Sequence, residues 1–108
     1  MMGYNEYAPR INTDGETGYI WLQYCGWTDA VKAKHLQPSD ILYWNGGHES
    51  TVIEQIKETP SFVTFKTMTN IPGLDDGPQY WERRLKKDRL VACSGEVHLR
   101  VKMEHRTG

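Results

Sequence analysis

Cysteine is scarce, with two among 108 residues. Cys25 and Cys93 each sit in an apolar, strand-like run, and neither belongs to a Cys-x-x-Cys pair or has a histidine at zinc-finger spacing. Two buried free thiols are the reading, with a disulfide between them open only in an oxidising compartment. The four histidines, His35, His48, His98 and His105, fall in different elements. A metal site would need the fold to converge them, and none is expected. No apolar run approaches the roughly 18 residues of a membrane helix, and Met1-Met2-Gly3-Tyr4-Asn5-Glu6 lacks the basic-then-apolar layout of a signal peptide. A cytoplasmic chain with no membrane partner is expected. There is no P-loop, Gly-x-Ser-x-Gly elbow or Gly-x-Gly-x-x-Gly fingerprint, so neither an enzymatic activity nor a cofactor is expected.

What is present is ordinary globular usage, 38% hydrophobic and 25% charged residues. A chain of this length forms one domain around one modest core. Residues 1–18 are polar and rich in Gly, Asn, Asp and Thr, with no apolar period. They read as a mobile or loosely docked arm ahead of a single domain over residues 19–108.

The rest of the chain is dominated by strand signals. Tyr19-Ile20-Trp21-Leu22-Gln23-Tyr24-Cys25, ended by Gly26, reads as a strand buried on both sides. Val31-Lys32-Ala33-Lys34 alternates apolar with basic, a half-buried strand, and Pro38-Ser39 fits the centre of a type I turn. Residues 41–44 and 52–56 flank Asn45-Gly46-Gly47-His48, the strongest hairpin signal in the chain. Residues 62–68 supply another strand after the Thr59-Pro60-Ser61 turn.

Beyond the loop of residues 71–77, Pro78 opens a short helical turn over residues 78–87, because Trp81 and Leu85, and Glu82 and Lys86, lie four apart, with a further strand there as the alternative. Residues 90–93 return to β character. Val97, Leu99, Val101 and Met103 then alternate with His98, Arg100, Lys102 and Glu104, which predicts a last strand with one wet face. The fold class expected is mainly β, a small antiparallel barrel or roll with one short helical turn. Its core is expected from Trp21, Leu22, Ile41, Val52, Ile56, Val63, Phe65, Leu90, Leu99 and Val101.

The run from Val31 to Ile56 carries Leu36-Gln37-Pro38-Ser39-Asp40-Ile41-Leu42, Gly46-Gly47 and Thr51-Val52-Ile53, with Asp88 to Val91 further on. Over residues 31–93 this pattern resembles small SH3-like barrel proteins encoded by actinobacterial phages. Such proteins commonly have glycine where this chain has Ser39. The resemblance implies an SH3-like barrel from a mobile-element setting, working in the host cytoplasm, and carries no functional residue over. A similar turn occurs in self-splicing Hint domains. That chemistry needs a Cys or Ser at the first residue and an Asn beside a His at the last turn, and this chain has neither.

Two side-chain pairs could suggest chemistry. Asp75-Asp76 could bind a divalent cation, although adjacent carboxylates in a Gly/Pro loop are usually solvated turn residues. His35 with Asp40 could form an acid/base pair, although no nucleophile motif accompanies them.

Charge is unevenly distributed. Residues 1–82 carry five Lys/Arg and eleven Asp/Glu, net −6, and residues 83–108 carry eight and three, net +5, which together give the whole-chain −1. The basic cluster is Arg83, Arg84, Lys86, Lys87 and Arg89, with Arg100 and Lys102 on the wet face of the last strand and Trp81 beside them. Those eight residues are the candidate partner-binding surface. A protein-interaction module with an acidic protein partner is the favoured function, the aromatics acting as hot spots. The alternative is a nucleic-acid-binding barrel using the same patch. The acidic remainder and a pI near 6.4 weigh against that alternative.

Overall fold

The strand signals resolve into eight strands. The computed structural model describes residues 6–70 and 77–105. Within them lie β1 (Arg10–Ile11), β2 (Thr17–Leu22), β3 (Gly26–Lys32), a 3-10 turn (Ala33–His35), β4 (Ile41–Tyr43), β5 (Glu49–Glu58), β6 (Phe62–Thr69), β7 (Gln79–Lys86), β8 (Leu90–Ala92) and helix α1 (Gly95–Glu104). Two antiparallel sheets result, ordered β1-β2-β3-β8 and β4-β5-β6-β7. The mainly β expectation therefore holds. An isolated bridge between Leu42 and Cys93 links the two sheets, and α1 packs on β2 and β3.

β6 shows most plainly why these residues form strands. Val63, Phe65, Thr67 and Thr69 are buried while the residues between them are half-buried, the period-two pattern of a pleated surface with one inward face. With Leu42, Val52, Val31, Val91 and Val101 they fill the space between the sheets. The Asn45-Gly46-Gly47-His48 hairpin forms as its composition predicts. The Trp44 amide donates to the His48 carbonyl at 3.0 Å and Gly47 takes a φ of 83°.

The segments of residues 78–87 and 97–103 exchange roles relative to expectation. Residues 78–87 form no helical turn: β7 pairs along its whole length with β6, from Gln79 opposite Thr69 to Lys86 opposite Phe62. Residues 97–103 form no strand: Ser94 caps α1, its hydroxyl accepting from the Val97 amide. A spacing of four is close to one helical turn and is also an even number of strand residues, so Trp81/Leu85 and Val97/Val101 satisfy both periods. Leu99 and Met103 distinguish them, for they are 57% and 58% exposed while Val97 and Val101 are buried.

Three expected core residues lie elsewhere. Leu99 is on the solvent side of α1. Ile56 is exposed because register shifts in β5, between Val52 and Glu54 and between Gln55 and Lys57, put Gln55 opposite Phe65 and Glu58 opposite Val63. An extra residue in a strand turns the following side chains to the other face. Trp21 is 38% exposed and stacks on other aromatics. Ile41 and Leu90 are half-buried, and the remaining five expected core residues are buried.

Three further differences are local. Pro38-Ser39 is no type I turn, because Ser39 has a φ of 79° and the Asp40 amide closes the turn on the Gln37 carbonyl at 3.1 Å. A positive φ at the second central position is the type II geometry. Cys93 is buried as expected, but Cys25 lies exposed in the turn between β2 and β3, outside the strand assigned to it. From the polar segment of residues 1–18, β1 and the first residues of β2 join the first sheet, and residues 1–5 lie outside the described residues.

Candidate functional site

Strand pairing divides the basic cluster. Residues opposite each other in an antiparallel pair share a face, so Trp81 and Arg83 take the same side as buried Thr67 and Phe65, while Arg84 and Lys86 take the other. The Arg83 guanidinium lies 4.1 Å from the Trp44 ring centre and 5.4 Å from that of Trp81, between two indoles in a cation–π arrangement. Burial, then the neighbouring charge of Arg89, lowers its pKa from the ordinary value. Arg84 stacks on Phe62 at 3.7 Å.

The other predicted cations are dispersed. Lys87 pairs with Glu58 and holds that carboxyl below its usual range. Lys86 and Arg89 are exposed. Arg100 and Lys102 do not share a wet strand face, because in a helix two positions lie about 200° apart around the axis. Arg100 is instead bound to Asp40, with its Nη2 also donating to the His35 carbonyl at 2.9 Å.

Beside the Trp44–Arg83 stack opens a cleft of about 600 Å³ at the junction of the two sheets. Tyr7, Trp21, Tyr43 and Trp44 line it, with Asp88 and Arg89 from the turn between β7 and β8. Tyr7, Trp21 and Trp44 are held in place. Tyr7 stacks on Trp21 at 4.6 Å, Trp21 meets Trp27 edge-on at 5.9 Å, and Arg10 covers Trp27 at 4.1 Å. The Trp44 Nε1 donates to Ser50 Oγ at 2.9 Å, which in turn bonds Thr69 Oγ1 at 2.6 Å. The Gln23 amide donates to Asn45 Oδ1 at 3.0 Å, tying the β4–β5 hairpin to the turn between β2 and β3.

Sequence reasoning placed Trp21 in the core and missed Tyr7 and Tyr43. Tyr7 lies in the segment read as an arm, and no spacing rule links it to Trp21. Only the aromatic density of residues 19–27 and 43–44 pointed this way.

His35 and Asp40 form no acid/base pair with each other. His35 Nε2 meets Glu16 Oε1 at 2.7 Å, and Asp40 faces Arg100. The fold also brings His105 to this place, its ring centre 4.5 Å from that of His35. The Glu16 carboxyl is held below its ordinary pKa by the His35 hydrogen bond, against desolvation, with Lys34 and Lys32 adding to the effect. Asp75-Asp76 lies outside the described residues. Among the described residues no helix is long and apolar enough to cross a membrane. Compared with protein-family models, curated proteins and solved structures, the chain matches none.

Proposed function

We propose that this chain is a non-catalytic protein-interaction module, an SH3-like accessory protein of phage type acting in the host cytoplasm. Its cleft takes a peptide segment of a host or phage protein. The observation that carries this reading is the convergence of Tyr7, Trp21, Tyr43 and Trp44 on one open volume beside exposed Arg89. Aromatics already fixed by stacking and hydrogen bonds offer large apolar contact with little entropy left to lose, the character of binding hot spots. The volume is that of ordinary ligand sites. Arg89 adds a basic group at its rim that speeds encounter with an acidic segment.

The alternative reading, base stacking by a single-stranded nucleic acid, uses the same aromatics. The net −6 of residues 1–82 disfavours it. Display selection of peptides on the parent, with Trp21→Ala and Arg89→Glu as counter-targets, tests the proposal alongside labelled single-stranded DNA and RNA at two salt concentrations. The expected peptides carry an aromatic or aliphatic anchor flanked by Asp or Glu, and lose affinity for both variants. Peptides that bind the variants equally, or oligonucleotide binding that falls steeply with salt, overturn it.

A further inference from the structure

We propose that Glu16, His35 and His105 form a binding site for a divalent transition metal, with zinc the best match. One donor atom from each residue lies within 4.8 Å of the other two, and all three side chains are half-buried. Two imidazoles and a carboxylate at about 2.0–2.2 Å from an ion are a zinc donor set, and a solvent-reaching fourth position completes the tetrahedron. Tetrahedral donors stand roughly 3.3 Å apart at such bond lengths, and His35 Nε2 and Glu16 Oε1 lie at 2.7 Å, so loading requires that pair to part slightly.

The arrangement is prepared for this in two ways. His105 Nδ1 lies 3.0 Å from the Val101 carbonyl, which can only accept, so the neutral ring carries its lone pair on Nε2. An imidazole whose other nitrogen is fixed by a carbonyl is the usual state of a metal-ligating histidine. The backbones that carry the other two ligands are also held. The Glu16 amide donates to Asp14 Oδ1 at 2.8 Å and its carbonyl accepts from Lys32 at 3.1 Å, while the His35 carbonyl accepts from Arg100.

Lys34 opposes the site, its Nζ standing 3.4 Å from Glu16 Oε1. With the ion absent it balances the carboxylate, and with the ion present it repels. A bound ion would join the turn after β1, the 3-10 turn and the end of α1, three segments far apart in the chain.

The test is titration of the untagged, metal-stripped chain with cobalt(II), followed by visible absorption, then displacement by zinc and thermal melting with and without zinc. One cobalt per chain with tetrahedral absorption, displaced by zinc, is expected. His35→Ala and His105→Ala should each weaken zinc binding by more than about a hundredfold, since even outer partners of metal ligands are worth about 10–100-fold. Lys34→Gln should tighten it about three- to tenfold by removing a like charge, an effect that loss of folding cannot imitate. His48→Ala should change nothing. No cobalt spectrum with the parent chain, binding that survives both histidine variants, or weaker binding by Lys34→Gln overturns the proposal.

Discussion

Arg100, on the C-terminal helix, grips both carboxylate oxygens of Asp40, sixty residues earlier, through Nη1 at 2.6 Å and Nη2 at 2.8 Å. Asp40 is buried at the end of the Pro38-Ser39 turn and also accepts from the Gln37 amide at 2.7 Å. The pair fastens α1 to the second sheet. Removing one partner strands a buried charge, so Arg100→Met should cost about 3 kcal/mol in urea unfolding. Arg100→Lys should recover only part, because an ammonium cannot reproduce the two-pronged contact. A loss below about 1 kcal/mol for Arg100→Met contradicts this role.

Ser39 occupies a conformation that glycine adopts without penalty, and its side chain is exposed. Ser39→Gly should therefore stabilise the chain by about 0.5–1 kcal/mol, the left-handed penalty less the added freedom of the unfolded state. A lower urea midpoint for the variant contradicts the type II turn.

The two thiols should differ sharply. Desolvation, with Asp29 and Asp40 nearby, pushes the Cys93 thiol up to about 12, and it is 1% exposed, whereas Cys25 is exposed. Only the thiolate reacts. At mildly alkaline pH a thiol reagent should label Cys25 rapidly, with Cys93 reacting only after denaturation. Equal labelling of both under native conditions contradicts the packing around Cys93.

The sheet framework was legible because Val63, Phe65 and their neighbours alternate cleanly and Asn45-Gly46-Gly47 encodes its own turn. The helix was hidden by arithmetic, since a four-residue spacing fits both periods and the side chains that decide, Leu99 and Met103, are themselves apolar. Ile56 was misplaced by bulges that leave no compositional trace. The cleft and the Glu16–His35–His105 cluster join residues from the two ends of the chain, a long-range closeness that no local pattern contains.

Leu99 and Val101 test the helix directly. Leu99→Ala should leave stability within about 0.5 kcal/mol, as for other exposed positions. Val101→Ala should cost about 2 kcal/mol through the lost transfer energy and the cavity left behind. Comparable losses at both positions would restore the strand.

The cleft is the centre of the functional account, and indole N–H signals in a proton–nitrogen NMR spectrum probe it most directly. Titrating the best selected acidic, aromatic-anchored peptide should shift the Trp21 and Trp44 signals. Trp21→Ala should weaken binding by about 2 kcal/mol or more, as for a hot-spot aromatic. Saturable binding that moves only Trp81 and the outer face of β7, with Trp21 and Trp44 unchanged, would place the partner surface outside the cleft and contradict the account.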